Sequence, residues 1–340
     1  MERPSASANE DGSAGGSDSS GKGTGRERIE GPWSHEQAVV NGVRLHYVEA
    51  GGDAEASSPA GRGEEGDEEA SPPVVLLHGF PEFWYSWRRQ LPALADAGHR
   101  VVAPDMRGYN DSEKPRGVDA YRTDELVGDV AGLIDHLGAE RAHVVGHDWG
   151  GLVAWETAIR QPGVVEKLAV LNAPHPGRYR RALRRNPDQW RRSWYAMAFQ
   201  LPQVPEAVLG ARDCEAVVGM FRDIAEDPDA FSETDLRRYR EAACTPGALT
   251  SAVNYYRAAF RENAARELRA LVGGERRSFD VRAPTLLLWG ERDPALGVEL
   301  TEGLDAWVPD LRVERFPDAS HWVQNDAPAR VNRALAEFLA

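Results

Sequence analysis

Five short, almost uninterrupted apolar runs constrain this chain more than anything else in it: Val74 to Leu77, Arg100 to Ala103, Ala142 to Val145, Lys167 to Leu171 and Thr285 to Trp289. Strands that read as continuous apolarity are buried on both faces, as in a parallel sheet covered by helices. Helical patterns around 84 to 97, 121 to 137 and 152 to 161 alternate with the runs. The expected fold is therefore α/β, a doubly wound, mostly parallel sheet. It is preceded by a hairpin over 35 to 49, where Asn41 and Gly42 supply the turn. Leu311 to Phe316 reads as a last strand, and Pro328 to Leu339 as a closing helix with proline at its first position.

One interval breaks the alternation. From 176 to 278 no buried strand is evident, only Arg-, Glu-, Ala-, Trp- and Tyr-rich helical spacing. An insertion leaving the carboxyl edge of the sheet lands over the crevice where such folds place their sites, so it is expected to form a helical cap, or lid. The expected organisation is a tail (1–32), a first core part (33–175) carrying an acidic insert (51–72), the cap (176–278) and a second core part (279–340).

The net charge of −14 is concentrated outside this core. Residues 1–32 carry −2 and residues 51–72 carry −6, in segments with few large apolar side chains. Both are expected to be disordered. The remaining body is only mildly acidic, which argues against a nucleic-acid partner. No apolar secretion core or membrane span is evident, so a cytoplasmic protein is expected, with its oligomeric state left open. Cys214 and Cys244 stand 30 positions apart without a Cys-x-x-Cys or Cys/His cluster, and two unpaired thiols are expected.

Directly after the third run stands Gly146-His147-Asp148-Trp149-Gly150-Gly151. A strand turning sharply into a helix presents its turn residue to the cleft, and small glycines make room for the bend. The residue presented is Asp148, a carboxylate. No Gly-x-Ser-x-Gly occurs in the chain, which removes the main support for a serine esterase. Further along, Trp289-Gly290-Glu291-Arg292-Asp293 ends in a carboxylate after a strand, and Ala319-Ser320-His321-Trp322 presents an imidazole after the last strand. Nucleophile, acid and histidine in that chain order match the α/β-hydrolase arrangement. Upstream, His78-Gly79-Phe80-Pro81 follows a strand. In such a fold, backbone N–H groups from that loop and from the residue after the nucleophile hold an oxyanion, here Phe80 and Trp149.

Together, HGFPEFW at 78–84, DMRGY at 105–109, GHDWGG at 146–151, WGERD at 289–293 and SHWVQ at 320–324 resemble the α/β-hydrolase-fold epoxide hydrolases, over about residues 33–340. The resemblance implies two cap tyrosines over the site. Tyr256, in Asn254-Tyr255-Tyr256-Arg257, is similar to the second, and Tyr195, ahead of Phe199-Gln200-Leu201-Pro202, to the first; packing on a cap helix is the alternative role for each. A phenol can hydrogen-bond the epoxide oxygen and protonate it as the ring opens. Asp148 would form a covalent ester with an apolar epoxide, and water activated by His321 and Asp293 would release a vicinal diol, with no metal or organic cofactor. His78, Pro81, Trp84, Trp194 and Trp322 are candidate pocket residues. Haloalkane dehalogenases share the aspartate nucleophile, and the indole of Trp149 keeps that alternative open; a non-catalytic ligand receptor on the same fold is the remote one.

Overall fold

The computed structural model describes residues 28–52, 71–271 and 277–340. All the elements below lie in one compact unit, Pro32–Ala340. The expectations of disorder for 1–32 and 51–72 fall almost entirely outside the described residues.

Asn41 and Gly42 take positive φ of 47° and 75°, closing a hairpin between β1 (Ser34–Val40) and β2 (Val43–Ala50). The apolar runs then become β3 (Val74–Leu77), β4 (Val101–Pro104), β5 (Ala142–His147), β6 (Val165–Leu171) and β7 (Thr285–Gly290), followed by β8 (Leu311–Phe316). They form one eight-stranded sheet in the order β1-β2-β4-β3-β5-β6-β7-β8. β1, β2 and β4 pair antiparallel, and every pairing from β4 through β8 is parallel. Every residue of β3, β4, β5 and β7 is buried, which is why those strands carry no polar alternation.

Helices α1 (Gln90–Asp96), α2 (Thr123–His136) and α3 (Asp148–Arg160) supply the crossovers. Between β6 and β7 the chain makes six further helices: α4 (Pro176–Arg185), α5 (Pro187–Arg192), α6 (Trp194–Ala198), α7 (Val204–Ile224), α8 (Glu233–Ala243) and α9 (Ala248–Leu271). α10 (Val323–Asp326) and α11 (Pro328–Leu339) close the chain, the latter with proline in its first turn as its sequence suggests. Among the described residues no helix is long and apolar enough to cross a membrane.

Cys214 and Cys244 are not unpaired. They form a disulfide, with their Cα atoms 6.1 Å apart. α7 is interrupted at 211–214, and the helix that continues to Ile224 is followed by α8 running back over a similar length. A sequence separation of 30 therefore becomes adjacency at one end of a helical hairpin.

Candidate active site

The parallel register brings Leu77 of β3 beside Gly146 of β5, so the loops leaving these two strands sit side by side. Asp148 heads α3 with φ 49°, a left-handed backbone held by very close packing around it. A Cβ on Gly150 would stand 2.1 Å from the Leu77 carbonyl oxygen, and one on Gly79 would stand 2.5 Å from Asp148 Cβ. Glycine is thus required at both places for the two loops to approach. As a result Phe80 N–H donates to Asp148 Oδ1 at 2.8 Å.

Three more strand ends contribute. Asp293 follows β7 and His321 follows β8, and His321 Nδ1 lies 2.6 Å from Asp293 Oδ2. The other ring nitrogen, Nε2, is 3.6 Å from Asp148 Oδ2. Asp293 also accepts from the backbone N–H groups of Ala295 and Leu296 at 2.8 and 2.9 Å, and from Asn172 Nδ2 at 2.8 Å. Burial alone would raise the Asp293 pKa, but these donors and the imidazole hold it below the ordinary carboxylate value. Burial likewise would lower the pKa of His321; the Asp293 and Asp148 carboxylates outweigh it and hold it well above its ordinary value.

From the helical insertion, Tyr256 of α9 and Tyr195 of α6 meet with ring centroids 5.9 Å apart. The Tyr256 ring contacts Phe80 and Trp149 edge-on at 5.5 and 4.9 Å. The neighbouring Trp149 indole works weakly in the lowering direction on the Tyr256 hydroxyl. Burial foremost, with nearby phenols and the Asp148 charge adding to it, pushes the pKa of both tyrosines well above the ordinary phenol value, so both are neutral donors at neutral pH. Tyr255 faces away: its hydroxyl donates to the Arg107 carbonyl oxygen at 2.7 Å.

Four of the proposed pocket residues have other surroundings, and these are corrections. Trp84 is core, covered by Trp33, His35, Phe83 and Tyr85. Trp194 is exposed on the outside of α6. Trp322 is buried, stacked on Phe221 at 4.8 Å with its indole N–H on the Met220 carbonyl, and so fixes the insertion to the β8 end. His78 is also buried; its Nδ1 meets the Gly79 carbonyl at 2.9 Å while Nε2 accepts from Met106 N–H at 2.9 Å, which braces the loop from behind. Pro81 is buried after a cis peptide bond within that same loop.

Three residues of the site were missed by reading the sequence. Glu82 is fully buried and accepts from Gly79 N–H at 2.8 Å and from Gln324 at 3.1 Å, while His147 Nδ1 lies 2.7 Å away. His147 Nε2 in turn lies 2.8 Å from the His321 carbonyl oxygen. Both nitrogens of His147 are thus engaged, one by the Glu82 carboxylate and the other by the His321 carbonyl. Although burial would raise the pKa of Glu82, the His147 charge and hydrogen bond bring it down to about 2. Asn172, at positive φ just past β6, bridges Asp293 to the Gly290 backbone. Glu82 and His147 stand inside HGFPEFW and GHDWGG, and Asn172 directly follows an apolar run, so position after a strand was the available signal.

Residues 72–328 match the α/β hydrolase fold family. The chain is 40% identical over 300 residues to AB hydrolase superfamily protein YfhM of Bacillus subtilis (strain 168), covering 88% of this chain and 99% of that one. It is 38% identical over 311 residues to Epoxide hydrolase 1 of Caenorhabditis elegans, covering 90% and 70%. Among solved structures, an epoxide hydrolase from Bacillus megaterium in complex with an inhibitor superposes with TM-score 0.75 at 31% identity, over 89% of this chain and 99% of that one. Epoxide Hydrolase A from Mycobacterium thermoresistibile gives 0.73 at 34% identity, over 90% and 98%. This chain therefore belongs to the α/β hydrolase fold family, on its epoxide hydrolase branch.

Proposed function

We propose that the protein hydrolyses apolar epoxides to vicinal diols through an ester on Asp148. One observation carries this reading: the Asp148 carboxylate rests with Oδ1 on Phe80 N–H and Oδ2 turned to His321, beneath two neutral tyrosines. Oδ2 is the nucleophilic atom. It attacks an epoxide carbon from the side opposite the breaking C–O bond, while Tyr195 and Tyr256, on the helices that act as the cap, hydrogen-bond the departing oxygen and one of them gives it a proton. Oδ1 then becomes the ester carbonyl oxygen, already placed on a donor.

Esterification removes the Asp148 charge, one of the two that hold His321 protonated. The ring can then yield its proton to the tyrosinate left by ring opening and act as base toward water, which adds to the ester carbonyl carbon. Phe80 N–H, with Trp149 N–H as the second donor, receives the oxyanion; each such donor is worth roughly 2.7 to 4 kcal/mol of transition-state stabilisation. Collapse breaks the carbonyl carbon–Oδ2 bond, His321 gives the proton taken from water to Oδ2, and the new Asp148 carboxyl returns its remaining proton to the imidazole. The diol leaves with Oδ2 and the former epoxide oxygen, and the water oxygen stays on Asp148.

Single turnover in heavy-oxygen water tests this route. The expected result is label in the peptide containing Asp148 and unlabelled diol; labelled diol with an unlabelled peptide would refute it. The epoxide hydrolases among the relatives favour this reaction over the dehalogenase alternative. A cytoplasmic location also remains a proposal, and the Cys214–Cys244 bond bears against it, because thiols are kept reduced there.

A further inference from the structure

α5 and α6 carry large apolar side chains on the side turned away from the site. Trp190, Trp194 and Met197 are 56%, 67% and 46% exposed. They are spaced i, i+4 and i+7, and only Ser193, at φ −90° and ψ 10°, separates the two helices, so the spacing places them on one face. Leu201, four residues further on, is also half exposed. The opposite side is already occupied: Gln189 donates to the Ala295 carbonyl, Tyr195 meets Tyr256, and Phe199 packs on Phe80. A solvent-facing helical stripe is ordinarily charged, so this one needs an occupant.

The charge around the stripe indicates which. Between 178 and 192 stand seven arginines and a single acid, Asp188, in a chain whose net charge is −14. Arg180 and Arg184 share Glu267. Among the described residues, Arg178 and Arg192 donate only to backbone carbonyl oxygens, with no carboxylate to offset them. Arg185 is exposed and has no carboxylate partner among the described residues. Among the described residues Arg191 meets only Asp188, at 3.7 Å in open solvent.

We propose that the outer face of α5 and α6 docks on an anionic lipid bilayer. Indole rings settle at the headgroup boundary, and a helix with Trp and other apolar side chains among cationic ones lies in that interface. Guanidinium groups pair with lipid phosphates, each basic residue near the surface contributing on the order of 1 kcal/mol. Met197 and Leu201 have no ring to stack on a base, whereas a bilayer accepts them; this favours lipid over a single-stranded nucleic acid. A bilayer there lies about one helix diameter, roughly 10 Å, from the Tyr195–Tyr256 pair. An apolar epoxide dissolved in lipid would be held next to the site, a consequence that, unlike the docking itself, rests on the reaction proposed above.

The test uses the full chain with phosphatidylcholine vesicles, with and without phosphatidylglycerol, read by co-sedimentation and by quenching of tryptophan emission with brominated lipid. Binding should require phosphatidylglycerol and weaken with salt. Trp190→Ser with Trp194→Ser, and separately Arg185→Glu with Arg191→Glu, should each lower partitioning at least about tenfold, with circular dichroism unchanged. No binding to phosphatidylglycerol vesicles, or binding that neither pair alters, overturns the proposal. So does a dimer that the tryptophan pair dissociates, or retention of an acidic polypeptide or oligonucleotide in preference to vesicles.

Discussion

Asp148 must be a nucleophile in one step and an electrophilic ester in the next, so the residues behind it matter as much as those that touch substrate. His321 is held from two directions: Asp293 fixes its ring through Nδ1, and His147 fixes its backbone through the carbonyl oxygen. The second brace depends on Glu82, the carboxylate that balances the His147 ring in a fully buried place. Glu82→Gln should therefore break a fully buried pair, costing roughly 3 to 5 kcal/mol of stability. If the His147 ring turns as a result, its contact with the His321 carbonyl is lost and His321 shifts; a misplacement of about 1 Å costs on the order of a hundredfold. Because His321 serves the second step, ester hydrolysis should slow more than ester formation. A protein mass increase equal to the epoxide, seen by rapid quench in Glu82→Gln and absent in the parent, is the expected result. A turnover rate within about twofold of the parent with no adduct would reduce the brace to packing.

Among the elements, those buried on both faces are the ones the sequence makes legible. β3 through β7 are short and apolar because nothing else fits between two helical layers, and β8 and α11 match their sequence boundaries to the residue. Loops at the carboxyl ends of strands were legible for the same reason, which is how Asp148, Asp293 and His321 could be singled out. The helical insertion was legible as helices over the expected span, but the facing of its side chains was not. Its aromatic residues have no fixed inward or outward position until the helices pack, so Trp194 faces out and Tyr195 faces in on adjacent positions. The cysteines were misread because chain separation hides the α7–α8 hairpin. That bond closes a loop of about 30 residues, for which chain entropy predicts a contribution of about 3 to 4 kcal/mol. Cys214→Ser with Cys244→Ser should lower the urea midpoint by a corresponding amount, and reductant should move the parent protein toward the variant. Equal midpoints for the oxidised parent and the double variant would show that the hairpin holds without it.

For the whole molecule, the buried charges set a stability profile with two limbs. Glu82, Asp105 and Asp293 are each held below their ordinary values, against the opposing effect of burial, by imidazole partners and hydrogen bonds. A depressed carboxylate contributes stability that is complete above its unfolded pKa and lost as pH falls through the folded one. For Glu82 that window runs from about 4.5 down to about 2. Asp129 works the other way, since burial raises it despite Arg107, and it softens the limb slightly. His321 has the opposite sign: its raised pKa contributes fully below 6.5 and is lost as pH rises through the folded value. Burial pushes His143 and His175 down to about 4, so they lose stability as pH falls below 6.5, and stability should thus be greatest near 6.5, the unfolded value of the imidazole groups. Urea midpoints measured across pH check both limbs. Glu82→Gln should flatten the acid limb and His321→Gln the upper one, each leaving the other in place. An acid limb as steep in Glu82→Gln as in the parent would mean that protons enter elsewhere, and that the His147–Glu82 pair is not what acid breaks first.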